Sequence, residues 1–278
     1  WISLITLVAT GLFMALTLNE INWSAITHQS SGSRAALIGA IIFGMTGIGL
    51  GWVNSAADYS RYLPRNSSSR AVIGWTIFGA SIVPILMVIY GSLLAASSKT
   101  LSDAIAADPI GALTTLLPKW YLIPFAFVAI LGLIGGSILD LYSSGITLVS
   151  IGLPVKRHIA AGIDGGIMTI GTIYIVWIAN SFIGPFQNFL VTLGVPIAVW
   201  SAMFVADVIS RDSYNEAALF DKNGEYGSWN FKSLALLVIG SAVGWSFVSK
   251  AIGNIGIIYA LVIGFVGQLI LATKKPRK

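Results

Sequence analysis

Asp140 is the residue with the most chemical leverage in this sequence. It lies about twenty residues into an apolar run that begins at Trp120, so its carboxylate falls at membrane depth, where insertion costs about 2.5–3.5 kcal/mol. Ionisable groups held there mark substrate or proton paths by default. Gly136, Asp140, Ser143 and Thr147 recur at i, i+4, i+7 and i+11, which draws one small, polar stripe along one helix face. A stripe of that kind predicts a face turned to the bundle interior. The competing reading is a carboxylate that only bonds neighbouring helices together.

A second constellation lies upstream. Gly39, Gly44, Gly47, Gly49 and Gly51 crowd thirteen residues and lead into Trp52, Val53, Asn54 and Ser55. Each glycine weakens a helix by about 1 kcal/mol relative to alanine, which predicts a helix broken near Gly47–Gly51. Broken backbone is tolerated in a membrane where protein or a watery cavity satisfies it, and transporters use such breaks to bind substrate. Glycines that merely permit close helix packing are the alternative. Trp52 offers a stacking face for a flat aromatic substrate, against a place in the interfacial aromatic belt.

The other candidates are weaker. Asp58 and Asp207 end their helices, where solvent or Arg61 and Arg211 would pair with them, and Asp164 is expected near a helix start, where the dipole favours a carboxylate. Phe186, Phe189 and Leu190 share a face by i, i+3, i+4 spacing. They are gate candidates on a helix that Gly194 and Pro196 would loosen, although aromatic stripes are commonly packing. Cysteine is absent, and the two histidines, His28 and His158, are far apart in sequence. Thiol chemistry, a histidine metal centre and a serine triad all lack their parts, and no G-x-S-x-G, H-E-x-x-H or P-loop sequence occurs. No enzyme, metal or cofactor is expected.

These residues need helices in lipid to position them. Of 278 residues, 56% are hydrophobic and 10% charged, with mean hydropathy +0.84; soluble domains carry about 25% charged residues. The basic residues are dispersed over many loops, which suits a membrane surface and not nucleic acid. Eight apolar runs approach the ~20 residues of a membrane-spanning helix: Ile2–Leu18, Ala35–Ala57, Ala71–Ala96, Trp120–Ser150, Ile159–Ala179, Phe186–Val208, Leu234–Val248 and Ile255–Ala272. They do not alternate as barrel strands do. Twelve of the sixteen Lys and Arg residues fall in one set of alternate loops and four in the other, which places the first set, and the C-terminus, in the cytoplasm. The external segment Ser97–Lys119 is expected to form a short helix, with Ser102 as N-cap and Pro109 and Pro118 as stops. The chain opens on Trp1 without a charged leader, which predicts that it is cut from a longer one.

The stretch Gly51-Trp52-Val53-Asn54-Ser55-Ala56-Ala57-Asp58-Tyr59-Ser60-Arg61-Tyr62-Leu63-Pro64 resembles a signature of purine–cytosine permease-like members of the nucleobase:cation symporter-1 family. Asp140-Leu141-Tyr142-Ser143-Ser144-Gly145 and Gly184-Pro185-Phe186-Gln187-Asn188-Phe189-Leu190 through Ala206-Asp207 are similar to further family segments. The resemblance covers essentially the whole chain. It implies an all-α integral membrane protein, with eight helices that correspond to helices 5–12 of a twelve-helix, inverted-repeat, leucine-transporter-like fold. Residues 35–208 would then be the second inverted repeat, and 209–278 two C-terminal helices and a tail. It implies a plasma-membrane symporter for cytosine, purines or a related heterocycle that works by alternating access, with substrate between the broken helix and the Asp140 face. The family's broader range leaves allantoin, hydantoin, thiamine precursors and amino acids open, and a non-transporting scaffold or receptor is the alternative from another class.

Carried over by position, the resemblance makes Trp52 the residue that stacks on the heterocycle, with Gly49, Asn54, Asp140 and Ser137 as further substrate-binding candidates. Asp140 stands where many relatives have Asn. An ionised Asp only accepts hydrogen bonds and gains a donor by protonation, so Asp140 is also the proton-coupling candidate. Gly135 and Gly136 stand where sodium-coupled relatives carry hydroxyls, which favours a proton over sodium as the coupling cation.

Overall fold

The computed structural model describes residues 1–53, 55–64, 66–150, 155–211, 213–219, 221, 223–224, 226–227 and 229–273, and no strand occurs among them. In chain order the helices are α1 (Ile2–Thr17), α2 (Trp23–Thr27), α3 (Arg34–Gly44), α4 (Ala56–Ser60), α5 (Ser69–Ser97), α6 (Lys99–Ala107) and α7 (Pro109–Thr114). They continue with α8 (Lys119–Ser150), α9 (Arg157–Ile173), α10 (Ile183–Ser210), α11 (Glu216–Leu219), α12 (Phe231–Ser246) and α13 (Gly256–Thr273).

Among the described residues, six helical stretches are long and apolar enough to cross a bilayer: Ser3–Glu20, Arg34–Ser60, Ser69–Ser97, Lys119–Ser150, Arg157–Ile178 and Ile183–Ser210. The two remaining expected spans form the apolar but shorter helices α12 and α13. Large apolar side chains point outward along these helices, among them Ile73, Trp75, Ile85, Ile123, Phe127 and Ile170. A surface so continuously apolar suits lipid and not water. In lipid each backbone N–H and C=O needs an internal partner, which continuous helices supply.

Side chains close the exposed helix starts. Ser33, Ser68, Ser98, Asp108 and Asn230 accept from Ala36, Ala71, Leu101, Gly111 and Ser233 backbone N–H groups, satisfying donors that a helix start leaves unbonded. The segment 97–119 therefore contains two short helices, not one. Ser98 and not Ser102 caps the first, and Pro109 opens the second, because a proline at the first helical position loses no hydrogen bond.

The chain divides into two compact units. One comprises residues 1–30 and 57–186, the other 31–56 and 187–278. In the first, Tyr90 joins Ile21 and Leu94 in a core flanked by Phe13, Met14 and Ile26. The Tyr90 hydroxyl lies 2.6 Å from that of Thr17 and donates to the Met14 carbonyl at 2.9 Å, while Tyr121 donates to Ala9 O at 2.7 Å and ties α8 to α1. In the second unit Ile42, Val195, Ala198, Val199, Met203, Ile257 and Ala260 form the core. The α12–α13 connection turns through Gly253 and Asn254, both at positive φ (70° and 55°).

Glycine sets the spacing in the second unit. A Cβ on Gly264 would lie 2.5 Å from the Val199 backbone oxygen, a contact that a methyl group cannot make without moving α13 off α10. Gly264→Ala is therefore expected to destabilise the protein by about 1–3 kcal/mol. Gly11→Ala, where nothing lies within 4 Å of the added carbon, is expected to be neutral or stabilising by up to about 1 kcal/mol. Thermal unfolding of both variants in detergent checks the pair.

Candidate functional site

The glycine-rich segment leaves α-helical geometry where the composition predicts. The α-helix ends at Gly44, a π turn covers Met45–Gly49, and a 3-10 turn covers Leu50–Trp52 before the chain enters α4. The interruption is not an extended break. Gly49 (φ −78°, ψ −68°) and Leu50 (φ −67°, ψ −30°) remain in the right-handed region. Leu50 N–H is shared between the Met45 and Thr46 carbonyls, and the Thr46 hydroxyl donates to Ile42 O and Phe43 O at 3.1 and 3.0 Å. Hydrogen bonds are rerouted here, and π turns of this kind recur at functional sites.

The glycines divide between the two readings that the sequence offers. Gly47 packs against Leu190, whose Cδ1 would lie 3.5 Å from an added Cβ. The buried Thr46 fills a notch at Gly194 of α10, where a Cβ would meet Thr46 Cγ2 at 2.7 Å. Gly194 thus permits close approach and does not loosen α10, which runs unbroken through Pro196. Gly44 and Gly49, by contrast, border open space.

Of the predicted site residues, Trp52 ends the 3-10 turn and is 45% exposed, Gly49 is in the π turn, and Asn54 lies outside the described residues. Trp52 and Gly49 belong to the second unit, Asp140 and Ser137 to the first. Ser137 turns its hydroxyl back to Leu133 O at 2.9 Å. Asp140 is exposed on α8, whereas Ser143, one turn on, is buried. The stripe of Gly136, Asp140, Ser143 and Thr147 is therefore not uniformly interior: Thr147 is exposed too and bonds Ser143 O. Four positions spread over i to i+11 drift around a straight helix, and the contact with α4 covers Ser143 alone among the three polar side chains. The gate candidates also diverge. Phe186 stacks on Phe182 at 5.2 Å, Leu190 meets Gly47, and Phe189 is exposed.

The first unit assembles a polar cluster that spacing alone does not announce. Asp58 on α4 is 8% exposed and accepts a hydrogen bond from the buried Ser143 hydroxyl of α8. One turn further, the Tyr62 and Tyr142 hydroxyls bond each other. From α9 the Arg157 guanidinium covers the Tyr142 ring at 4.4 Å, and Arg61 lies 5.5 Å from the Tyr62 ring centre. Tyr59 lies within electrostatic reach of both Asp58 and Asp140, and Asp140 within reach of Asp164. The expectation that Asp58 pairs with solvent or Arg61 is corrected: burial against α8 gives it Ser143. Asp164 is likewise not at a helix start, since α9 begins at Arg157, two turns earlier. The signal in the sequence is the i, i+4 pair Asp58/Tyr62 facing the adjacent pair Tyr142-Ser143.

At the end of α10 the expected pairing does form. Arg211 Nε donates to Asp207 Oδ2 at 2.7 Å, Tyr214 to the same oxygen at 2.8 Å, and Gln268 Nε2 to Oδ1 at 2.9 Å. Among the described residues no cluster of three metal-ligating side chains occurs.

The family model described as "Permease for cytosine/purines, uracil, thiamine, allantoin" matches residues 1–270. A Bacillus subtilis (strain 168) protein with the provisional name purine-cytosine permease YxlA is 24% identical over 213 residues, which are 73% of this chain and 45% of that protein. The chain thus spans about half the length of this relative. No solved structure matches it significantly.

Ser143→Ala would leave the buried Asp58 carboxylate without this donor, and the expected loss is about 1–3 kcal/mol of stability, read by thermal unfolding. A second expectation concerns Tyr214, whose phenol is pushed up to about 12 by burial and then by its bond to Asp207. A group whose pKa is raised on folding stabilises fully below its unfolded value, here 10.0, and ceases to as pH climbs through the folded one. The stability difference between the parent and Tyr214→Phe is therefore expected to hold constant below pH 10.0 and to vanish by about 12; chemical unfolding across that range measures it.

Proposed function

Because the chain belongs to the family of permeases for cytosine/purines, uracil, thiamine and allantoin, we propose that it is part of a symporter that imports cytosine, a purine or a related small heterocycle. The protein is a multi-pass membrane protein of a permease family, and so a transport protein and not an enzyme. The observation that carries the reading within the structure is the π and 3-10 interruption of the 34–60 span. Secondary transporters build their substrate sites where a membrane span is interrupted, and π turns recur at functional sites.

In this reading Trp52 stacks on the heterocycle, with Gly49 and Asn54 beside it on the interrupted segment. Asp140 and Ser137 supply polar contacts from α8, and Asp140 carries the coupled proton. Phe186, Phe189 and Leu190 are the gate candidates. The segment 35–208 serves as the second inverted repeat of a twelve-helix fold, and the protein works by alternating access. Its C-terminus faces the cytoplasm, as the twelve-to-four distribution of basic residues favours. The family's range, which includes uracil, thiamine and allantoin, favours a second reading in which the same site takes one of those.

The test is uptake by the full-length protein in proteoliposomes. Cytosine or purine uptake driven by a pH gradient in sodium-free buffer is expected, with Asp140→Asn abolishing the dependence on pH. Uptake that stays absent until sodium is added overturns the proton assignment, and a competition panel ranks the heterocycles. Trp52→Ala is expected to weaken binding by about 1–3 kcal/mol, the worth of one base stacked on an aromatic ring; unchanged affinity removes Trp52 from the site.

A further inference from the structure

The two halves of the interrupted span pack with different parts of the chain. Up to Ala56 the segment belongs with α10, α12 and α13, and from Ala57 it belongs with α8 and α9. The first half is fixed by shape: Ile42 is fully buried in the core of its unit, Thr46 fills the Gly194 notch, and Gly39 lies against Gly253. The second half, α4, is five residues long, too short to hold a helix by its own hydrogen bonds. Side chains fasten it. Asp58 bonds Ser143, and Tyr62 bonds Tyr142 under the Arg157 guanidinium.

The two fastenings differ in how easily they part. Tyr62 is 68% exposed, so water can replace one phenol with little net change in free energy. Asp58 and Ser143 are 8% and 4% exposed, so their bond parts once α4 has begun to lift and water enters. Both are polar contacts, and neither leaves an apolar cavity when opened. Past Leu50, the last residue of the turns packed on that core, the 3-10 turn runs on through Gly51 and Trp52, and a change of hydrogen-bond register there would move α4 without unfolding it.

We propose that the Tyr62–Tyr142 and Asp58–Ser143 pairs form a releasable latch. It holds α4 against α8 in one state of the transport cycle and opens in another, with the 3-10 turn at Gly51 and Trp52 taking up the movement. The latch rests on the transport reading above, but its residues are not the proposed substrate contacts.

The absence of cysteine from these 278 residues makes thiol tests clean. In the full-length protein on a cysteine-free background, Tyr62→Cys and Tyr142→Cys are joined by a reducible bis-methanethiosulfonate reagent, since two phenols in contact leave their backbones too far apart for a direct disulfide. Cytosine uptake is expected to stop on linking and to return on reduction. A linked protein that carries cytosine at the unlinked rate overturns the latch and leaves the transport reading standing. A second measurement needs no transport: the rate at which N-ethylmaleimide labels the Ser143→Cys thiol. Adding Tyr62→Phe with Tyr142→Phe is expected to raise that rate about tenfold, the factor that one ordinary net hydrogen bond is worth. If the parent carries no cytosine, the transport reading for that base falls, and the latch is judged on labelling. A rate unmoved by loss of both hydroxyls overturns it.

Discussion

Lipid offers no hydrogen bonds, and that constraint governs the form of every element here. A backbone group that leaves the α pattern must find another partner inside the protein or lose several kcal/mol. The 34–60 span meets the requirement by changing the step of its bonding and not by opening. The dihedrals at Gly49, Leu50 and Val53 stay right-handed, Leu50 N–H is shared between two carbonyls, and Thr46 returns its hydroxyl to the turn before. The interruption is therefore compact, and it costs little enough to sit within a membrane span. An extended break would have needed a polar wall to receive its free groups.

Small residues decide which side of that interruption is held by shape. Gly194 admits Thr46, Gly264 lets α13 reach the Val199 backbone, and Gly256 lies so close to Gly244 that a Cβ would stand 2.0 Å from its carbonyl oxygen. Contacts made this closely are stiff, because a packed interior yields to an added methyl group only by moving whole helices. The α4 side has no such notch among its described neighbours and relies on directional bonds. Shape holds one half and hydrogen bonding holds the other, which is a division of labour that a uniformly apolar helix could not produce.

This division explains what the sequence made legible. Helix number and type follow from runs of apolar residues and need no partner information, so the six long spans are readable directly. The interruption is readable too, since five glycines in thirteen residues is a local property. Partner choice is not local. Asp58 stands three residues before Arg61, and proximity in sequence favours that pair, yet Arg61 lies over the Tyr62 ring and Ser143, eighty-five residues away, takes the carboxylate. The Asp140 stripe is buried only in part for a related reason: regular spacing describes one helix face, but the short α4 meets it at Ser143. Ser102 was misassigned because a cap is chosen by where the preceding helix ends, and α5 runs to Ser97 before the chain turns; the first short helix does stop just before Pro109, which also opens the next.

The contrast between two acids carries the argument one step further. Asp207 and Asp58 both close a membrane-spanning stretch, but their partners are of different kinds. Asp207 is bonded by Arg211, Tyr214 and Gln268 together, so separating it would leave a partly buried carboxylate and its cation both poorly solvated, and an ion pair broken on one side is among the costliest losses a fold can suffer. Asp58 is held by a neutral hydroxyl. When that bond parts, serine and carboxylate each find water as an equivalent partner, and no opposite charge is stranded. The chemistry at Asp207 suits a joint that stays closed, and the chemistry at Asp58 suits one that opens and closes many times. An acid of the second kind, placed where an interrupted helix changes its packing partner, belongs to the moving part of the molecule.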